Sequence, residues 1–317
     1  MLAFSVLASL AIGSKSVPFA EVIRAFTAYD GSDAHAIVRD LRVPRTEVGL
    51  LVGAALGAAG ALMQGATRNA LAEPGILGIN AGASFAVVLA ISVLNVGSTP
   101  AYTGFALAGA AIVAIAVFAL GATTRKGPAG VTLALAGSVM AALLIALTSA
   151  VLVFDARTLD EFRFWIVGSI GGRDGSVALT VLPVIAAGLV IAFAAGHSLN
   201  TLALGDEVAR SLGQHVGRTR AAVSLGFVLL AGGAVAAAGP VAFVGLAVPH
   251  VARILAGPDY RWIVPYSVLL GAVLLLAADV VGRVLVRPAE MGVGIVTVLV
   301  GAPFFVWLVR RPKLVAL

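Results

Sequence analysis

Long stretches of the chain contain no charged residue at all; Gly75 to Val96, Val131 to Phe154 and Gly292 to Val309 are three of them. A helix needs about 20 apolar residues to cross a hydrocarbon core about 30 Å thick, so runs of this kind point to a bilayer. Val48 to Met63, Pro100 to Gly121, Val177 to Ala195, Ala221 to Ala238 and Ile263 to Val281 extend the series. Val241 to Leu255 is set apart from its predecessor by Gly239 and Pro240, which favour a turn over a continuing helix. Leu2 to Ile12 is short and lacks a basic leader segment. It reads as a spanning helix whose first turns are missing or begin upstream of Met1, rather than as a signal peptide. The runs are far longer than barrel strands and show no period-2 alternation, which predicts an all-α polytopic membrane protein of ten transmembrane helices.

Composition agrees. Of 317 residues, 60% are hydrophobic and only 11% charged, with a mean hydropathy of +1.07, whereas a soluble domain carries about 25% charged residues. The whole chain, 1–317, reads as one transmembrane domain with a polar segment, 197–220, between the sixth and seventh helices. The net charge of +6 marks loops facing anionic lipid rather than a nucleic-acid surface. Having no cysteine, the chain offers no disulfide, thiolate metal site or thiol nucleophile.

Ten crossings place both termini on one side. Eleven of the 21 basic residues fall on the side of the C-terminus, close to a tie. Of the 15 acidic residues only Glu73, Asp206, Glu207 and Asp259 fall there. The basic tail Arg310, Arg311, Lys313, directly after a span, places the termini in the cytoplasm. Gly49, Gly53 and Gly57, and again Gly78 and Gly82, recur every four residues, the spacing that lets a neighbouring helix approach closely.

Catalysis finds no support. Gly13, Ser14, Lys15 and Ser16 imitate the end of a phosphate-binding loop but lack the glycine immediately before the lysine. No pair of carboxylates, His cluster or nucleophile-base arrangement stands out. His250, one turn from Arg253, has no carboxylate or thiol nearby in sequence and reads as a hydrogen-bonded structural residue; His197 and His215 fall in a polar loop. Asp279 and Arg283, spaced i, i+4 at the end of a span, are either a functional site or an internal ion pair.

Two segments are too polar for simple connectors: Leu41 to Ser84, which opens Arg42-Val43-Pro44-Arg45 and bends at Gln64 to Glu73, and Gly239 to Asp259, GPVAFVGLAVPHVARILAGPD. With TLALGDEVARSLG at 201–213, LLLAADVVGRV at 274–284 and GIVTVLVGAPFFVWL at 294–308, the chain resembles the FecCD or BtuC-like permeases of ATP-driven importers for ferric siderophores, haem and vitamin B12. The resemblance covers nearly the whole chain. Two positions depart from it: the family's Asn-Pro-Leu-Ala bend reads Asn69, Ala70, Leu71, Ala72, and its Glu-Leu-Pro turn reads Glu290, Met291, Gly292.

The resemblance implies two five-helix halves of inverted topology and a second permease subunit, identical or homologous. It also implies two cytoplasmic ATPase subunits that bind ATP and Mg, an extracytoplasmic substrate-binding protein, and no cofactor or enzymatic activity in this chain. It places the ATPase-coupling helix at Gly205, Asp206, Glu207, Val208, Ala209, Arg210, Leu212 and Gly213. The segment has supporting content of its own: acids at a helix start, Val208 and Leu212 on one face, and glycines at both ends. The resemblance further implies a cytoplasmic gate near Gly130 and Val131, a pathway lined by Val131 to Phe154 and Gly292 to Trp307, and binding-protein docking through Arg42 and Arg283. VTLALAG at 131–137, DEFRFW at 160–165 and NTLALG at 200–205 resemble catechol-siderophore permeases more than those for vitamin B12, with a haem or vitamin B12 permease as the alternative within the family. The competing class, an ion-coupled secondary transporter, requires membrane-embedded carboxylates, for which Asp279 is nearly the only candidate.

Overall fold

The computed structural model describes residues 1–97, 99–123 and 129–310, and among these every regular element is helical. In chain order they are α1 (Leu2–Ala11), α2 (Phe19–Thr27), α3 (Asp33–Ala36), a π-helical turn (Ile37–Arg42), α4 (Val43–Thr67), a 3-10 turn (Pro74–Leu77), α5 (Ile79–Ser92), α6 (Thr99–Thr123), α7 (Ala129–Phe154), α8 (Ala156–Ile166), α9 (Gly175–Ala203), α10 (Asp206–Ser211), α11 (Val216–Ala238), α12 (Val244–Ala256), α13 (Tyr260–Leu285) and α14 (Val293–Val309). Six apolar helices, α4, α6, α7, α9, α11 and α13, are long enough to cross a bilayer singly; α1, α5, α12 and α14 are shorter and equally apolar. Together they make the ten expected spans.

α4 is the axis. Pro44 sits in its first turn, where the missing N–H is one that would be unpaired in any case. Its glycine row then meets α13 in antiparallel register: Gly53 and Gly57 lie against the backbone of Gly271 and Ser267, and Gly60 against the carbonyl of Gly245 on α12. A methyl group at any of these glycines would collide with main chain, so the small-residue row serves packing within this chain. Gly82 meets Gly109 of α6 in the same manner. α4 is enclosed over most of its length, whereas α7 and α14 leave Leu135, Val139, Leu143, Leu299 and Val300 exposed.

The halves are inverted. Residues 45–61, RTEVGLLVGAALGAAGA in α4, align with 218–234, RTRAAVSLGFVLLAGGA in α11, matching Arg45 with Arg218, Thr46 with Thr219, Gly53 with Gly226 and Gly60 with Gly233. Yet Arg68, the C-cap of α4, lies 3.5 Å from Asp206 of α10, while the start of α11 reaches the same Asp206 through Arg220. The two matching helices therefore begin at opposite ends of the bundle, called below the α2 end and the α10 end. Five spans per half produce this inversion, since corresponding members of an alternating chain then run oppositely.

Two features depart from the sequence expectations. The apolar run beginning at Gly75 does not become α-helix until Ile79, because Glu73 leads into a 3-10 turn and Gly78 takes φ 75°. α2, α3 and α8 form at the α2 end although they carry too many polar residues to register as spans. Of these, α2 is amphipathic: Val22 and Ala25 are buried, while Phe19, Ile23 and Phe26 form an exposed apolar row.

Candidate functional site

At the α10 end, Gly205 (φ 106°) and Gly213 (φ 82°) adopt backbone that favours glycine and so delimit α10 sharply. A helix this short is not stable alone. Asp206 anchors it, accepting two hydrogen bonds of 2.9 Å from the Arg220 guanidinium, with Arg68 3.5 Å away. Gln214 donates to the carbonyl of Ser198 and to Thr219 Oγ1, tying the following turn to α9 and α11. Ala209 is buried beneath the helix. On the other face Val208 and Leu212 are exposed, with Leu204 beside them. The sequence expectation that Val208 and Leu212 share a face holds; the acids at its start include one, Asp206, whose main partners are arginines from both halves. Glu207 and Arg210 point to solvent.

A second constellation lies where the two bends meet. Arg68 (φ 51°) ends α4, and the Asn69 side chain accepts from Leu71 N–H, so the turn forms without the proline that the family places there. The chain then folds back, and Glu73 Oε1 accepts the Phe243 N–H at 2.9 Å. Phe243 is the N-cap of α12 and has φ 69°, a conformation that costs a bulky residue about 1–3 kcal/mol unless its surroundings enforce it. They do: the Phe243 side chain sits against Gly301 of α14, which leaves it room. Glu73, placed by sequence in a polar bend on the side of the C-terminus, thus reaches inward to the start of α12. The isolated acid ahead of Pro74 and Gly75 was the only signal; nothing in the sequence marks Phe243.

At the α2 end, charge is buried. Arg45 donates to Asp279 at 2.8 Å and to Glu290 at 2.6 Å, and Arg283 pairs with Asp279 at 2.9 Å. Arg283 also donates to Ser9 O and Ser9 Oγ, each at 3.0 Å, and Ser9 Oγ lies 2.8 Å from Thr46 Oγ1. Arg42 donates to Leu10 O at 2.7 Å and to Lys15 O. Arg42 and Arg283, which the resemblance implies for docking, are 5% and 2% exposed in this chain, and their donors latch α1 and the residues after it to α4 and α13. Of the two alternatives for Asp279 and Arg283, the ion pair is present. With two arginines on it, Asp279 is not a free embedded carboxylate.

Gly130 and Val131 fall in the first turn of α7, but their side chains lie outside the described residues. His250 Nδ1–H donates to Leu246 O, 2.8 Å away, as a structural histidine does. Arg253 reaches Tyr260 OH at 3.3 Å. Among the described residues no three His, Asp or Glu gather as a metal site. Just outside the α13 span, Asp259 is held well below the usual carboxylate range by hydrogen bonds from Arg261 and then Asn200.

Ten apolar helices, two bends that meet and a short polar-anchored helix at one end make a multi-pass membrane protein. The chain belongs to the FecCD transport family, whose description matches residues 1–311. It is 43% identical to the "Probable siderophore transport system permease protein YfiZ" of Bacillus subtilis over 97% of this chain and 92% of that protein. It is likewise 43% identical to the ferric enterobactin transport system permease protein FepD of Escherichia coli, over 96% and 90%. The cobalamin import system permease protein BtuC of Halobacterium salinarum is 38% identical over 90% of this chain and 76% of that one. A solved inward-facing conformation of a metal-chelate type ABC transporter superposes with a TM-score of 0.85 at 27% identity, covering 98% of this chain and 96% of that one.

Proposed function

We propose that this chain is the permease subunit of an ATP-driven importer for ferric siderophores. The α10 end faces the cytoplasm together with both termini, and the α2 end faces outward, where a substrate-binding protein delivers cargo. A second permease subunit covers the exposed apolar faces of α7 and α14, and the pathway runs between the two subunits, past a gate at Gly130 and Val131. ATP and Mg are bound by two separate ATPase subunits; this chain carries neither a nucleotide site nor a cofactor.

The observation that carries this reading is the exposed row Leu204, Val208 and Leu212 on a helix locked in place by Asp206. Among the described residues this row is left exposed, and its anchors lead to both α4 and α11. A partner seated on it moves the cores of both inverted halves at once, which is what a two-state pathway driven from outside the membrane requires. Iron chelate is the cargo because, of two relatives of 43% identity, one is named for siderophore and the other for ferric enterobactin transport, whereas the cobalamin relative is 38% identical.

The test is reconstitution. With its ATPase and binding protein in vesicles, the chain takes up a ferric siderophore only when ATP is supplied. Uptake driven by a proton or sodium gradient without ATP would overturn the importer reading. A corrinoid or porphyrin held tightly by the partner binding protein, with no ferric chelate bound, would overturn the cargo.

A further inference from the structure

The surface of α2 divides into three sectors. At 3.6 residues per turn, Phe26, Phe19 and Ile23 fall within one arc of about 60°, and they are 51%, 50% and 49% exposed. To one side of that arc lie Val22 and Ala25, buried in a cluster with Leu10 of α1, Val17 and Val38. To the other lie Thr27, Ala20 and Arg24, all exposed. Arg24 donates to Glu21 at 2.9 Å, so the polar sector carries no net charge. Around the helix, then, come a face on protein, a bare apolar face and a face for water. With nine residues, α2 is about 14 Å long, too short to cross a bilayer. Its mount is stiff. Arg42 donates to Leu10 O and Lys15 O, and Arg287 to Gly13 O, which pins the chain leading into α2. Beyond its other end, the buried His35 ring stands between Asp30 Oδ1 at 2.7 Å and Glu21 Oε2 at 3.3 Å.

The surroundings of the bare face say what covers it. α2 packs on α1, α3 and the π-helical turn, whereas α7 and α14, whose exposed faces are assigned to a second subunit, pack on other helices. α1 leaves Phe4 and Leu7 exposed, as a span facing lipid does, and Ile12, between α1 and α2, is exposed as well. The apolar row of α2 thus continues a lipid-facing surface to the point where polar residues begin. We propose that α2 is an interfacial anchor: it lies along the membrane surface with Phe26, Phe19 and Ile23 sunk among the upper acyl chains and Arg24 in the headgroup layer, and it fixes the depth of the α4 and α13 frame in the bilayer. Apolar burial drives the insertion rather than anionic headgroups. Arg24 is cancelled by Glu21, and the exposed Lys15 and Arg39 nearby are matched by Asp33 and Asp40. The leaflet it occupies follows from the importer reading; the insertion itself does not depend on that reading.

The experiment exploits the absence of cysteine from the chain. Phe19→Cys, Ile23→Cys, Phe26→Cys and Arg24→Cys each receive one environment-sensitive fluorophore in the full chain, which is then placed in lipid nanodiscs, open to water on both faces. The quenchers are a phospholipid spin-labelled near the headgroup end of its acyl chain, and iodide in the water. Labels at Phe19, Ile23 and Phe26 should be quenched by the lipid about threefold or more as strongly as the label at Arg24, and iodide should give the reverse order. Discs of zwitterionic and of anionic lipid should agree. Reading the row at three positions keeps the result independent of any one variant's folding. Iodide reaching all four labels equally would overturn the proposal. So would a row shielded from both quenchers, or shielded only after binding protein is added, since either assigns the face to protein. Lipid quenching that appears in anionic discs alone would also overturn it, by making headgroup charge the cause.

Discussion

The two ends of the bundle handle charge in opposite ways. At the α2 end Arg45, Asp279 and Arg283 are sealed inside, and their hydrogen bonds are spent on joining α1, α4 and α13. At the α10 end the ion pairs of Asp206 are partly open to water, and they hold up a helix whose apolar side chains face outward. Both clusters join the first half of the chain to the second. The first keeps helices together, and because it is dry the loss of any one member leaves a costly buried charge. The second keeps a small helix aimed, and individual contacts within it are weak because they are wet. A force applied at the α10 end therefore meets a compliant mount on a rigid frame.

The contrast is broken most severely by Asp279→Asn. It leaves Arg45 and Arg283 buried without their shared counter-charge, and removal of one partner from a buried pair costs about 3–5 kcal/mol. Thermal unfolding in detergent should show a large loss, with proteolysis reaching α1 first. An unchanged melting temperature would mean that the cluster is hydrated rather than sealed. Gly60→Ala comes next: its methyl group would meet the carbonyl of Gly245, and since main chain cannot rotate away the helices must part, at about 1–3 kcal/mol. Gly97→Ala, with nothing nearby, is its neutral control.

What could be read from the sequence follows from which physical rule acts locally. The spans were legible because bilayer thickness imposes a length on apolar runs. The glycine row of α4 was legible because close helix packing imposes a spacing. The ends of α10 were legible because Gly205 and Gly213 punctuate it. The burial of Arg42 and Arg283 was not, since an arginine at the edge of a span looks alike whether its donors reach solvent or the carbonyls of Leu10 and Ser9. Those carbonyls belong to α1, distant in sequence. Glu73 and Phe243 were missed for the same reason: they meet across 170 residues, and the strain at Phe243 is imposed by its neighbours and not by its own preferences. Repeat symmetry is faint in the sequence, and the inversion shows only where Arg68 and Arg220 meet at Asp206.

Smaller effects sharpen the difference between the ends. Arg220→Ala should cost about 0.2–1 kcal/mol, the ordinary worth of a partly exposed pair, and the cost should shrink further at high salt. A loss comparable to that of Asp279→Asn would erase the distinction drawn above. Acid should act through Asp259. Its folded-state pKa is depressed by Arg261 and Asn200, so its contribution is complete above the unfolded value of about 4 and disappears as pH falls further. Asp259→Asn should flatten the fall in stability below that pH, where the wild-type curve declines, and leave neutral-pH spans intact.

The central claim is that α10 receives the motion of an ATPase through Val208 and Leu212, and Leu212→Asp tests it most directly. A charge in that seat would have to be desolvated on docking, which is unfavourable, while the exposed position of Leu212 leaves folding of the isolated chain untouched. Measured in reconstituted vesicles, Leu212→Asp should insert and melt as the wild type does yet lose ATP-dependent uptake and co-purification of the ATPase. Wild-type uptake and ATPase association in this variant would contradict the account and remove α10 from the transmission.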